Sequence, residues 1–131
     1  MQTGTGVGGA PKVLLRAEGL FVLAIAVVLY WRGGYSWLWF ATLILAPDLS
    51  MLGYLANPRI GAACYNAVHT YAVPIAIGLI GLIAGIPTLM GIALIWTAHI
   101  GLDRLLGYGL KYPTAFGDTH LGRIGSSREA R

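Results

Sequence analysis

Charge is what this chain has least of. Only 11% of its 131 residues are charged and five are acidic, too few to cover a water-soluble globule of this size. A single cysteine, Cys64, excludes an intrachain disulfide and reads as a small packing residue. There is no internal repeat and no diagnostic zinc-protease string. The glycines at Gly4, Gly6, Gly8 and Gly9 follow no strand, so they do not form a nucleotide loop.

What remains is apolar. Hydrophobic residues make up 56% of the sequence and gather into four stretches, 13–31, 37–56, 60–84 and 87–108, each near the ~20 residues that a helix needs to cross a bilayer. The expected fold is all-α: an integral membrane four-helix bundle with antiparallel up-down topology and short turns. The turns are marked by Arg32, Gly33 and Gly34, by Asn57, Pro58 and Arg59, and by Gly85 and Pro87. The first stretch resembles a signal peptide, but Ala24-Ile25-Ala26 sits inside the apolar run and Glu18 interrupts its start, so a retained helix is expected. Residues 1–11 read as a flexible tail, 12–110 as the transmembrane domain, and 111–131 as a cytoplasmic segment that caps the bundle mouth.

Basic residues give the orientation. Lys12, Arg16, Arg59, Arg104, Lys111 and Arg123 fall on one side of the four stretches, and Arg32 on the other. The bias of Lys and Arg towards the cytoplasm puts both termini inside, in a bacterial inner membrane. Tyr30, Trp31, Tyr35, Trp37 and Trp39 form the aromatic belt of the opposite boundary. The net charge of +4 follows from this topology, so the expected partners are membrane lipids, a second copy or a larger membrane complex, and not nucleic acid.

The informative residues are those that interrupt the apolar runs: Asp48, His69, and His99 with Asp103. An Asp in hydrocarbon costs roughly 2.5 to 3.5 kcal/mol on insertion scales, so such groups face a protein interior. A rise of about 1.5 Å per residue places Glu18 about 6 Å from the cytoplasmic ends, Asp103 about 8, Asp48 about 10, and His69 and His99 about 13. His99 and Asp103 share a face at i and i+4, and Tyr65, Asn66 and His69 share another. Pro47 and Pro74 are expected to kink the second and third helices beside Asp48 and His69.

This constellation suits a divalent transition metal, Zn, Fe or Mn. His69, His99 and Asp103 are the ligand candidates, Asp48 a fourth ligand or a catalytic base, and Glu18, Tyr65 and Asn66 supporting partners. Arg104 is expected to reach outward to lipid phosphate or to bind an anionic substrate. Lys111, Asp118 and His120 are the candidates on the cap.

Several blocks together resemble a known group: Ala46-Pro47-Asp48-Leu49-Ser50-Met51-Leu52-Gly53-Tyr54, Tyr65-Asn66 with His69-Thr70-Tyr71, His99-Ile100-Gly101-Leu102-Asp103-Arg104, Gly107 to Pro113, and Asp118 to Gly122. Over residues 14–124 the chain resembles the small bacterial integral-membrane family called domain of unknown function 4260. The resemblance implies a four-helix inner-membrane protein and brings no activity or cofactor with it. From the residues, the first functional reading is metal-dependent hydrolysis of a lipid or amphiphile. The competing readings are a non-catalytic polar core or accessory subunit, a b-type haem between His69 and His99, and a small proton-coupled carrier.

Overall fold

The computed structural model describes residues 9–108, 118–119 and 122–123. Helix α1 spans Gly9–Arg32, so residues 9–11, expected in the tail, are already helical. Helix α2 covers Trp37–Leu43 and leads into a 3-10 segment, Ala46–Leu55. Helices α3 (Pro58–Val68), α4 (Ala72–Ala84) and α5 (Pro87–Leu106) follow. A short antiparallel pair, β1 (Asp118–Thr119) and β2 (Gly122–Arg123), is described only in its backbone. Among the described residues the architecture is thus helical, with four stretches long and apolar enough to cross a membrane: Gly9–Arg32, Trp37–Leu55, Pro58–Ala84 and Pro87–Leu106.

Local chemistry sets the ends. The Asn57 side chain accepts a hydrogen bond from the Ile60 amide at 2.8 Å, and Pro58 occupies the first turn, where its missing N–H costs nothing. Gly107 closes α5 in the left-handed conformation, φ 90°, which a side chain would strain. Its amide donates to the Arg104 carbonyl, and the Tyr108 amide donates to that of Asp103 at 2.7 Å, a Schellman pair.

The second and third spans, expected as kinked helices, are instead interrupted. Proline clashes with the carbonyl four residues earlier. For Pro47 that residue is Leu43, where α2 stops. For Pro74 it is Thr70, in the gap between α3 and α4. Ten residues of 3-10 helix are unusual, because its hydrogen bonds are poorer than α-helical ones and runs seldom exceed three or four residues.

Helix α5 is the core. Its Gly91, Ala93, Ile95, Ala98, His99, Ile100, Gly101, Asp103 and Arg104 are buried, while α2 buries no residue at all. Helix α1 lies against α5 in the opposite sense, with the Arg16 Nε donating to the Leu105 carbonyl at 2.8 Å and Gly19 beside Gly101 and Arg104. The approach is backbone to backbone: a Cβ on Gly101 would stand 2.8 Å from the Leu23 amide nitrogen and 2.9 Å from the Gly19 carbonyl oxygen. Small residues permit such packing where lipid supplies no hydrophobic drive between helices. Leu38, Leu55 and Ile83, all at least 75% exposed, belong to the lipid-facing exterior.

Candidate metal centre

Asp48 lies in the first turn of the 3-10 segment, His69 directly follows α3, and His99 and Asp103 stand one turn apart on α5. One ligand atom from each lies within 4.8 Å of every other. The two imidazole Nε2 atoms are 3.1 Å apart. Asp48 Oδ1 is 3.2 Å from His69 Nε2 and 3.0 Å from His99 Nε2. Asp103 Oδ2 is 3.5 and 3.3 Å from the same two atoms.

Second partners fix what those nitrogens can do. His69 Nδ1 is 2.9 Å from the Tyr65 carbonyl oxygen, and His99 Nδ1 is bonded to the Ile44 carbonyl. A carbonyl only accepts, so both Nδ1 atoms donate, and in a neutral ring Nε2 then carries a lone pair. With both rings neutral, two lone pairs and two carboxylate oxygens therefore gather within 4.8 Å of one another. Hydrogen bonding of the remote ring nitrogen to a carbonyl is also how metal-bound histidines are held.

Neighbouring groups brace this geometry. The Tyr65 ring stacks on His69, with centroids 3.7 Å apart and planes 6° from parallel, and its hydroxyl points to Asp103 Oδ2 at 3.4 Å. Carbonyls freed by the break in the third span have no water to turn to in a membrane, and side chains of α5 donate to them. Trp96 Nε1 donates to the Val68 carbonyl at 2.7 Å, and the Arg104 guanidinium to that of His69 at 3.0 Å. With His99 bonded to Ile44, one helix pins both interrupted spans.

All four principal candidates, Asp48, His69, His99 and Asp103, come together. Glu18 is exposed on α1 and outside the cluster, while Asn66 is half-buried one residue beyond Tyr65. Arg104 corrects an expectation: it is buried, bonded to backbone and 5.7 Å above the Tyr71 ring, not extended to lipid. The geometry favours a metal ion over a b-type haem between His69 and His99, because their Nε2 atoms stand 3.1 Å apart and share their space with two carboxylates. Lys111 and His120 lie outside the described residues, and so does the side chain of Asp118. Trp96 escaped the sequence reading. Its signal was an indole N–H in mid-span, one turn before His99, where a buried donor needs a partner.

No curated protein and no solved structure matches the chain. The family model described as "Domain of unknown function (DUF4260)" matches residues 12–124, and that range contains every residue of the centre; the chain belongs to this family.

Proposed function

We propose that Asp48, His69, His99 and Asp103 bind one divalent transition metal, of the Zn, Fe or Mn class, inside the membrane. One observation carries the reading: two imidazole Nε2 atoms, each in a ring whose Nδ1 is bonded to a carbonyl, meet two carboxylate oxygens. Ligands about 2.0 to 2.1 Å from a tetrahedral zinc stand about 3.3 to 3.4 Å from each other. Five of the six separations, 3.0 to 3.5 Å, are close to that edge, and the sixth, between the two carboxylates, lies within 4.8 Å. Two carboxylates and two neutral imidazoles sum to −2, which a dication neutralises. Protonating both rings would instead aim two Nε2–H groups at each other across 3.1 Å.

The chemistry this centre supports best is hydrolysis of a lipid or amphiphile. A bound metal would supply Lewis acidity and an activated water. Asp48 is the leg suited to yield a position to that water, since its side chain is 31% exposed against 12% for Asp103 and none for His69. Its carboxylate would be the group to accept a proton from the water. The water oxygen bonds to the ester carbon or phosphorus, the ester bond to the leaving oxygen breaks, and the leaving alcohol takes the proton.

The charge bias of the flanking segments supports a bundle of alternating direction with both termini cytoplasmic, in which the centre would lie in the inner half of the bilayer. Reporter fusions to the C-terminus test this; activity of a periplasmic reporter reverses the topology. For the centre, the test is elemental analysis of protein purified without chelator, joined to X-ray absorption at the metal edge. About one metal per chain with two imidazole nitrogens in its first shell is expected. No metal as purified and none after reconstitution would replace the centre with a hydrogen-bonded polar core.

A further inference from the structure

Between α2 and α5 the helices part. One cavity of about 280 Å³ is walled by Tyr35, Ser36, Trp39 and Thr88, a second of about 290 Å³ by Ala46, Pro47, Val68 and Trp96. Leu43, Ile92 and Ile95 line both, so the two are adjoining lobes of one cleft along α5. From Thr88 to Trp96 it extends about 12 Å at the helical rise.

The inner lobe is lined by sequence neighbours of the four cluster residues and by none of the four themselves. Pro47 and Val68 directly precede Asp48 and His69, and Trp96 lies one turn before His99, its indole bonded to the Val68 carbonyl as an end wall. The outer side is the bilayer, since Leu38 and Trp39 of α2 are 75% and 61% exposed. Walls this apolar, with few partners for water and an opening to lipid, select hydrocarbon. Taken together the two lobes fall within the ~300 to 1,000 Å³ range of small-molecule pockets, and a cleft about 12 Å long at the helical rise is filled by one chain lying along α5.

We propose that the α2–α5 cleft binds the hydrocarbon chain of a single-chain amphiphile whose polar end lies at Asp48, so that the substrate class is a monoacyl or monoalkyl ester. For its polar end the inference rests on the metal-centre reading; the chain site stands on the cleft. A molecule held this way has its head towards the centre and its tail towards the aromatic end, the direction of a lipid in the leaflet that holds the centre.

The test uses the full chain in nanodiscs of defined diacyl phosphatidylcholine and a photoactivatable diazirine fatty acid. Saturable labelling of Leu43, Ile92 or Ile95 is expected, displaced by a long-chain monoacyl lipid and not by added diacyl lipid. Ile92→Trp, which fills the shared wall, should weaken labelling at least tenfold and leave metal content unchanged; Thr88→Trp, at the far end, serves if the first variant does not fold. Labelling spread evenly over lipid-facing residues such as Leu38 and Ile83, or unaffected by the folded variant, overturns the chain site. Because the chain needs no metal to enter, saturable labelling of a protein that binds no metal would retain the chain site and defeat the metal reading alone.

Discussion

Helix α5 and the two interrupted spans contribute equally to the centre by residue count and in opposite ways by mechanics. Regular helix places His99 and Asp103 one turn apart on α5, on a buried face backed by α1. Asp48 and His69 arrive through broken helix, where the chain has left α-helical geometry and must be held by bonds from α5. A preformed pair therefore meets two adjustable arms. On the proposed reading, a site that releases one ligand to admit water would use this inequality, the pair on α5 keeping the metal while an arm moves.

The comparison breaks most completely at His99. Its Nε2 is a proposed ligand, and its Nδ1 holds the Ile44 carbonyl where α2 gives way to the 3-10 segment. His99→Ala removes both, and metal affinity should fall more than the 10- to 100-fold typical of lost supporting bonds. Isothermal titration of zinc into apo protein, with circular dichroism to verify folding, measures it. Asp48→Asn, which keeps the arm's shape but removes its charge, should lose less than His99→Ala; an equal or greater loss would refute the rigid-pair view.

A second test leaves every ligand in place. A leucine at Gly101 would drive its Cβ to 2.8 Å from the Leu23 amide and so separate α1 from α5. Overpacking of this kind costs about 1 to 3 kcal/mol. Gly101→Leu should lower the melting midpoint in detergent, whereas Gly34→Ala, in a turn with open space around it, should change packing little despite its backbone strain.

Much of this was legible beforehand, for physical reasons that differ by element. Spans are readable because bilayer thickness fixes their length, and Asp48, His69, His99 and Asp103 stood out because charge in hydrocarbon is costly. The i, i+4 relation placed His99 and Asp103 together without any tertiary information. What could not be read was the consequence of proline: Pro47 and Pro74 signalled kinks, but whether a helix bends or breaks depends on who accepts the freed carbonyls. Trp96, Arg104 and the remote nitrogen of His99 supply that answer from a distant segment. Arg104 was misjudged for the same reason, since proximity to a helix end suggested lipid phosphate while its partner, the His69 carbonyl, lies 35 residues away in sequence.

Trp96→Phe sharpens the account of the arms. The ring volume is largely kept, but the Val68 carbonyl loses its donor, leaving a buried acceptor unpaired at a cost of about 1 to 3 kcal/mol. His69 is the next residue, so zinc affinity should fall about tenfold while His99 and Asp103 stay in register. Hydrogen exchange should rise at residues 68–71 and not along α5. Uniform loosening of both would mean that the arm and the rigid helix open as one unit.

The smallest effect is expected at Tyr65. Phenylalanine there preserves the ring that stacks on His69 at 3.7 Å and removes the hydroxyl that reaches Asp103 Oδ2 at 3.4 Å, a long hydrogen bond. If stacking is what orients the imidazole, Tyr65→Phe should weaken zinc binding by less than tenfold, because only a bond to one carboxylate is lost and that carboxylate sits on the rigid helix. Tyr65→Leu also removes the stack and should weaken binding further, by roughly the 10- to 100-fold range of supporting partners. Were the two variants equally impaired, the hydroxyl would be the orienting group, and Asp103, for all its place on α5, would depend on the third span for its position.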